Sequence, residues 1–491
     1  MKLIKNSLYI NCLFFFINLI LYFFAFKNLD VNKFYLSLFY FTSFFLVFYS
    51  FNYKTIFFEK FLSLFIWLGF PFKLAIPYVL LSIGYHAKLF PEIPTVNNFS
   101  IEVYNDAIVF SLFGVLGLIL ASILRKKYIF SYSQRSNFIK NNLSIFFEKN
   151  KTKILSFFLT LVFLVNFSNL YFEIYQKGLV SNFSPKILVL IFKWLLLMGL
   201  SSFACYFVYY EFEKKNYTIA SNIFLFESFF SNITILSRAF VFNVSILIFL
   251  FFEHIKYNIK IKRPLILFLV TFSLILIFLN INFVSKLRSC VTNYQDISKS
   301  EKIFLSKKCL TDKEQEKKLN KKLSTTVNKI SSLSVSRWVG IDSMMVIMNK
   351  KKDLNFNFYL FFLKEKKSSN EKSYYEQLFL NKRNVQDGKI KTNHVILPGF
   401  ISYQAISGSI FFVFWSCFLL GIVGAYIEKF SYKLSFNNFV LTAFISYLFV
   451  FRMVHFGYLP TNTLIYCLSI VFTVLQFRIY EFMLSKLKIL K

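Results

Sequence analysis

The feature that most constrains this chain is a recurrence: stretches of about twenty apolar residues return along nearly its whole length. On that criterion twelve spans are expected. They lie near Leu8–Phe26, Phe34–Phe51, Phe61–Tyr85, Asp106–Leu124, Ile154–Tyr175, Ile187–Tyr210, Thr218–Leu236, Ala239–Phe252, Leu265–Val284, Tyr403–Tyr426, Phe436–Phe451 and Leu464–Phe482. The first is followed by no small-residue cleavage site, which predicts a retained helix rather than a removed signal. Charged residues make up 16% of the chain, against about 25% in soluble domains, too few to cover the surfaces a soluble fold of 491 residues would expose. The 56% hydrophobic content excludes disorder as well. The expected fold class is an all-α polytopic membrane protein, with about 12 transmembrane helices and one large periplasmic loop containing short amphipathic helices.

Basic residues set the orientation. With the N-terminus in the cytoplasm, the inside segments carry 24 Lys and Arg and the short outside segments 7, which predicts that both termini are cytoplasmic. Much of the formal net charge of +33 is therefore topological. A further 24 basic residues, against 11 acidic ones, fall in the segment 285–402, between the ninth and tenth spans. Long loops are exported regardless of charge, so this segment is expected outside. Three regions follow: residues 1–284, an N-terminal membrane domain of about nine helices; residues 285–402, the large basic periplasmic loop; and residues 403–491, about three C-terminal membrane helices. The only cysteines outside spans are Cys290 and Cys309, both in the loop. On an oxidising face they can close a ring of about 20 residues, worth roughly 3 kcal/mol if unstrained. Two free thiols are the alternative.

No phosphate-binding loop, dinucleotide fingerprint or zinc motif occurs, and four scattered histidines predict no metal cluster. Chemistry is sought instead where charge is expensive. Lys73, Lys193 and Glu227 fall inside spans, where each must face a partner or an aqueous path or else snorkel to an interface. Lys193 is near enough to the outer end to snorkel. Lys73 and Glu227 are central, and a Glu227–lysine pair is one structural alternative. Arg238, in Ser237-Arg238-Ala239, falls between two short spans at the outer interface, as a phosphate ligand or as a headgroup anchor. In the loop, Ser334, Trp338, Ile341, Met345 and Met348 follow a 4-3-4-3 spacing. This predicts a helix lying on the membrane with Arg337 at headgroup level, or alternatively the buried face of a loop subdomain. The apolar run Phe356–Leu363 is too short to span. His394 precedes the turn signal Pro398-Gly399 and can act as an acid or base at the outer mouth, or simply be solvated. Arg452 and His455, just after the eleventh span, are expected at the same mouth. Arginines converging on an outer membrane face suit a pyrophosphate carried on a lipid.

Four pieces of sequence carry a resemblance: Gly69-Phe-Pro-Phe-Lys73, Ser237-Arg238, Ser336-Arg337-Trp338-Val-Gly340, and Leu397-Pro-Gly399-Phe through Gly408 into a helix containing Gly421. Together with the layout of spans and late loop they resemble the bacterial O-antigen polymerase and ligase group, the oligosaccharide repeat-unit polymerases. An Arg-x-x-x-Arg cluster seen in some members is missing, and polymerase and ligase stay undistinguished. The resemblance implies a glycosyltransferase of the bacterial inner membrane that needs no metal and no cofactor. A sugar hydroxyl would attack the anomeric carbon of a glycan on polyprenyl pyrophosphate. Arg337 and Arg238 would bind the pyrophosphate and His394 would serve as the base, with Lys73, Arg452 and Glu227 binding substrate. Implied partners are the polyprenyl-pyrophosphate-linked glycan, membrane lipid and a chain-length regulator protein, with no nucleic acid. A lipid-linked oligosaccharide flippase or other polytopic transporter is the alternative, favoured by the intramembrane charges and opposed by the long loop. A transferase using a polyprenyl-monophosphate sugar is a third, opposed by the scarcity of acids in the first outer loop, where only Asp30 occurs.

Overall fold

Backbone amides and carbonyls in hydrocarbon have no water to bond, and a helix satisfies them within its own segment. The computed structural model describes residues 2–52, 57–82, 99–128, 141–177, 185–237, 239–258, 263–293, 338–364, 385–386, 389–390, 398–456 and 460–486. In chain order the helices are α1 (Lys2–Asn28), α2 (Lys33–Asn52), α3 (Phe57–Trp67), α4 (Lys73–Ser82), α5 (Ile101–Tyr128), α6 (Asn142–Lys149), α7 (Lys151–Phe172), α8 (Lys186–Trp194) and α9 (Leu200–Glu213). They continue with α10 (Tyr217–Thr234), α11 (Phe240–Asn258), α12 (Arg263–Asn293), α13 (Ile341–Met348), α14 (Phe356–Lys364), α15 (Gly399–Ala405), α16 (Ile410–Leu434), α17 (Phe439–Phe449) and α18 (Pro460–Lys486). A two-residue antiparallel ladder, β1 (Val385–Gln386) with β2 (Lys389–Ile390), is the exception among the described residues. Among the described residues, three π-helical turns interrupt or extend the α-helices, at Leu68–Phe72, Leu195–Gly199 and Val450–Phe456.

Among the described residues, eight helices are long and apolar enough to cross a membrane: Asn11–Asn28, Lys33–Phe51, Phe57–Ser82, Ile101–Tyr128, Lys151–Phe172, Lys186–Glu213, Ile410–Leu434 and Leu464–Lys486. Large apolar side chains such as Phe16 and Phe23 on α1, Phe163 and Phe167 on α7, and Phe411 and Leu419 on α16 stay exposed along them, as lipid-facing residues do. These are the properties of a polytopic membrane protein. The other four expected spans are also helical, but Phe240–Leu250, Val270–Ser285 and Phe439–His455 are shorter apolar stretches. The apolar run of α10 is interrupted by Ser221, Asn222, Glu227, Ser228, Ser231 and Asn232. The tenth expected span does not begin at Tyr403. Gly408, at φ +70°, breaks the chain between α15 and α16, and a side chain there would run into the Leu354 carbonyl.

Short polar side chains start many of these helices. Asn32, Asn141, Asn355 and Asn438 each accept a backbone N–H of the following first turn, at 2.8–3.4 Å. Two helices are capped from a distance by carboxylates, which complement the positive end of the helix dipole. Glu428 accepts Phe57 N–H at 3.0 Å and Phe58 N–H at 2.7 Å, and Glu481 accepts Asn142 N–H at 3.0 Å and Leu143 N–H at 2.8 Å.

The chain divides into two compact units. The first comprises Met1–Ser131, Val327–Lys429 and Ser446–Ile465; the second comprises Tyr132–Thr326, Phe430–Ile445 and Tyr466–Lys491. In the first unit α5 packs against α2, α13 and α15. It meets α16 through small residues: a side chain at Gly117 would strike the Phe414 carbonyl, and one at Gly421 would strike Ala121. A buried Arg125–Glu59 ion pair joins the end of α5 to the start of α3. In the second unit α10 packs against α7, α9, α11 and α12.

Candidate functional site

The site is built in the first unit around Lys73. Pro71 has no N–H to give the preceding turn, and Pro77 removes another four residues after Lys73, so the helix cannot run regularly through this stretch. It widens into the π-turn Leu68–Phe72, a form frequent at functional sites. Side chains from α1 and α2 hold the turn: Trp67 Nε1 donates to Asn18 Oδ1 at 3.0 Å, and the Tyr40 hydroxyl donates to the Pro71 carbonyl at 2.8 Å.

Gly69 in this turn touches Gly340 of the loop, backbone to backbone. A β-carbon at Gly69 would collide with the Val339 carbonyl, and one at Gly340 with the Gly69 carbonyl. One turn along, the Lys73 ammonium donates to the Trp338 carbonyl at 2.6 Å and forms an ion pair with Asp342. The side chains are only 6% and 10% exposed, so the pair is dry enough for each charge to depend on the other. Asp342 opens α13, where its charge also suits the helix N-terminus.

The end of the loop reaches the same place. Gly399, at φ +69°, lies against Val339 and the carbonyls of Val454 and His455, and Ser402 Oγ stands 3.4 Å from the Gly340 carbonyl. From α17 and its π-turn, Tyr447, Phe451 and His455 stack as a column, with ring centroids 5.6 and 5.7 Å apart and planes within 11° and 17°. Phe65 lies against all three, and the Trp338 indole packs edge-on to Phe65 and His455 at 5.8 and 6.0 Å. The Arg452 guanidinium, half-buried, sits 5.3 Å from the Phe451 ring centre. The arrangement brings a buried ion pair, a guanidinium and a column of aromatic rings together.

Several expectations change. Trp338 is not on a helix with the methionines. Gly340 stops that run, and α13 begins at Ile341. Met344, Met345 and Met348 are buried in the unit, so the alternative of a buried face holds over a helix lying on the lipid surface. Arg452 and His455 do not follow the eleventh span but belong to it, because the π-turn carries the helix on to Phe456. Glu227 lies in the second unit and forms no lysine pair among the described residues; the hydroxyls of Ser201, Ser228 and Ser231 surround it. Ser237, in the same unit, accepts from Lys177 Nζ at 2.7 Å. Arg238, Arg337, His394, Cys309 and the side chain of Cys290 lie outside the described residues. The partner missed in the sequence is Asp342. The signal available was that a lysine fixed in mid-span requires an acid, and Asp342 is the acid within the apolar stretch Trp338–Met348.

No protein-family model, no curated protein and no solved structure matches this chain.

Proposed function

We propose that this protein is a membrane glycosyltransferase of the oligosaccharide polymerase or ligase type, with twelve membrane crossings and its loop on the periplasmic face of the inner membrane. The observation supporting the reading is a convergence. Gly69–Lys73, Trp338–Gly340 and Gly399, from three separate parts of the chain, carry three of the four pieces of the resemblance, and they meet at one spot beside Arg452 and His455. In the proposed reaction an acceptor hydroxyl attacks the anomeric carbon of the lipid-linked glycan. The bond from that carbon to the pyrophosphate oxygen breaks, polyprenyl pyrophosphate leaves, and a base takes the hydroxyl proton. Pyrophosphate is a good leaving group, so the protein's work is alignment and neutralisation of developing charge. Arg337, next in the chain to the anchored Trp338, and Arg238 are assigned to the pyrophosphate, and His394 to the proton. Lys73, committed to Asp342, acts as a positioning residue for the loop.

The test is reconstitution in liposomes with an oligosaccharide on polyprenyl pyrophosphate. The expected result is elongated or transferred glycan without added metal. Arg337→Ala and Arg238→Ala should each slow it by roughly 10²-fold or more. Transfer of unextended carrier between leaflets, with no new glycosidic bond, would establish the flippase instead.

A further inference from the structure

Glu227 is a second feature, in the other unit and independent of the glycan reading. It stands in the middle of α10 and is 0% exposed. One carboxyl oxygen contacts Ser201 Oγ at 2.9 Å and Ser228 Oγ at 3.4 Å; the other contacts Ser231 Oγ at 2.9 Å. Ser228 Oγ in turn accepts from Asn243 Nδ2 of α11 at 3.1 Å. Ser201 lies two residues after the π-turn Leu195–Gly199, where the helix departs from regular geometry.

Among the described residues, no Lys, Arg or His pairs with this carboxyl. From α9 comes the thiol of Cys205. From α7 the buried polar residues are Asn166 and Asn169, and from α12 they are Ser273 and Asn280. The charges of α7 lie at its start (Lys151, Lys153), those of α9 at its far end, those of α11 near its end (Glu253, His254, Lys256) and those of α12 towards its two ends (Arg263, Lys286, Arg288), and Lys193 of α8 forms no ion pair with Glu227 among the described residues. An isolated carboxylate in such surroundings costs several kcal/mol, and hydroxyl dipoles supply no net charge to offset it. A cation bound at the carboxyl offsets that cost. The serine oxygens touch the carboxyl at the distance of a direct O–H···O bond, the contact that a bound proton requires.

We propose that Glu227 is an intramembrane proton-binding site. In the loaded state the carboxylic O–H donates to one serine hydroxyl while the others donate to the remaining oxygen. When the proton leaves, all three hydroxyls turn to donate to the carboxylate. A hydroxyl both donates and accepts, so the same three residues serve both states without moving the backbone.

Infrared difference spectra of the full-length protein in lipid, wild type minus Glu227→Gln, test this. The expected signal at neutral pH is the carbonyl stretch of a protonated carboxylic acid. It should shift in deuterated buffer, vanish reversibly at alkaline pH and ignore exchange of potassium for sodium. Ser231→Ala should shift the same band, which identifies it even where Glu227→Gln does not fold. A missing band, a band that neither exchanges nor titrates, or one removed by sodium at constant pH overturns the proposal. Glu227→Gln mimics the neutral acid and should keep the wild-type melting temperature, and a drop as large as that of Glu227→Ala counts against the site.

Discussion

At Lys73 two large terms oppose each other: the cost of taking an ammonium out of water and the attraction of a carboxylate placed against it. Such pairs contribute little net stability, but removing one partner strands the other. Lys73→Met or Asp342→Asn alone is therefore expected to cost roughly 3–5 kcal/mol, whereas Lys73→Met with Asp342→Leu recovers most of the loss. Thermal melts of the purified variants check this, and equal losses in all three would show that the pair is not the unit that matters. A charged residue in the middle of an apolar run marked Lys73 as special in the sequence. Its partner was harder to see, because Asp342 reads as one acid of 11 in a basic loop, set apart only by the apolar stretch around it. Glu227 was marked in the same way, but its solution uses serines, which give no charge signal.

Among the elements, the long helices were legible because hydrophobic length alone specifies them in a bilayer. The π-turns were not. Leu68–Phe72 was foreshadowed by Pro71, while Val450–Phe456 contains neither proline nor glycine, and the sequence ended that helix too early. The glycines of the site were visible as residues but not as contacts. In an open helix, Gly→Ala gains up to about 1 kcal/mol. At Gly69 and at Gly340 the added carbon meets a carbonyl of the opposite segment, so Gly69→Ala and Gly340→Ala are each expected to lose about 1–3 kcal/mol. Gly117→Ala, set against the Phe414 carbonyl, should behave alike. Denaturation of each variant in detergent decides the sign, and a gain at Gly69 would mean that the two backbones are not in contact.

For the whole molecule, the distribution of Lys and Arg predicts which segments face the cytoplasm. In a background without native cysteines, a cysteine at Ser368 should react with an impermeant maleimide in intact cells, and one at Ser131 only after permeabilisation. The reverse pattern would invert the orientation and put the loop in the cytoplasm. Patterning could not reveal that parts of the late loop fold into the same unit as the first five helices. That fact belongs to contacts between distant residues, which local periodicity does not record.

Lys73 and the Trp338 carbonyl to which it donates are 265 residues apart. At about 5–20 residues per second of synthesis, roughly a quarter of a minute to most of one separates the appearance of the two. During that interval the third span holds an ammonium without its acid, in a helix already broken by two prolines. The nascent protein thus passes through a stage in which Lys73 lacks the acid it pairs with, and the arrival of the loop supplies it. Truncation before Asp342 should therefore leave a chain that membrane quality control removes, even though the spans around Lys73 are present in full.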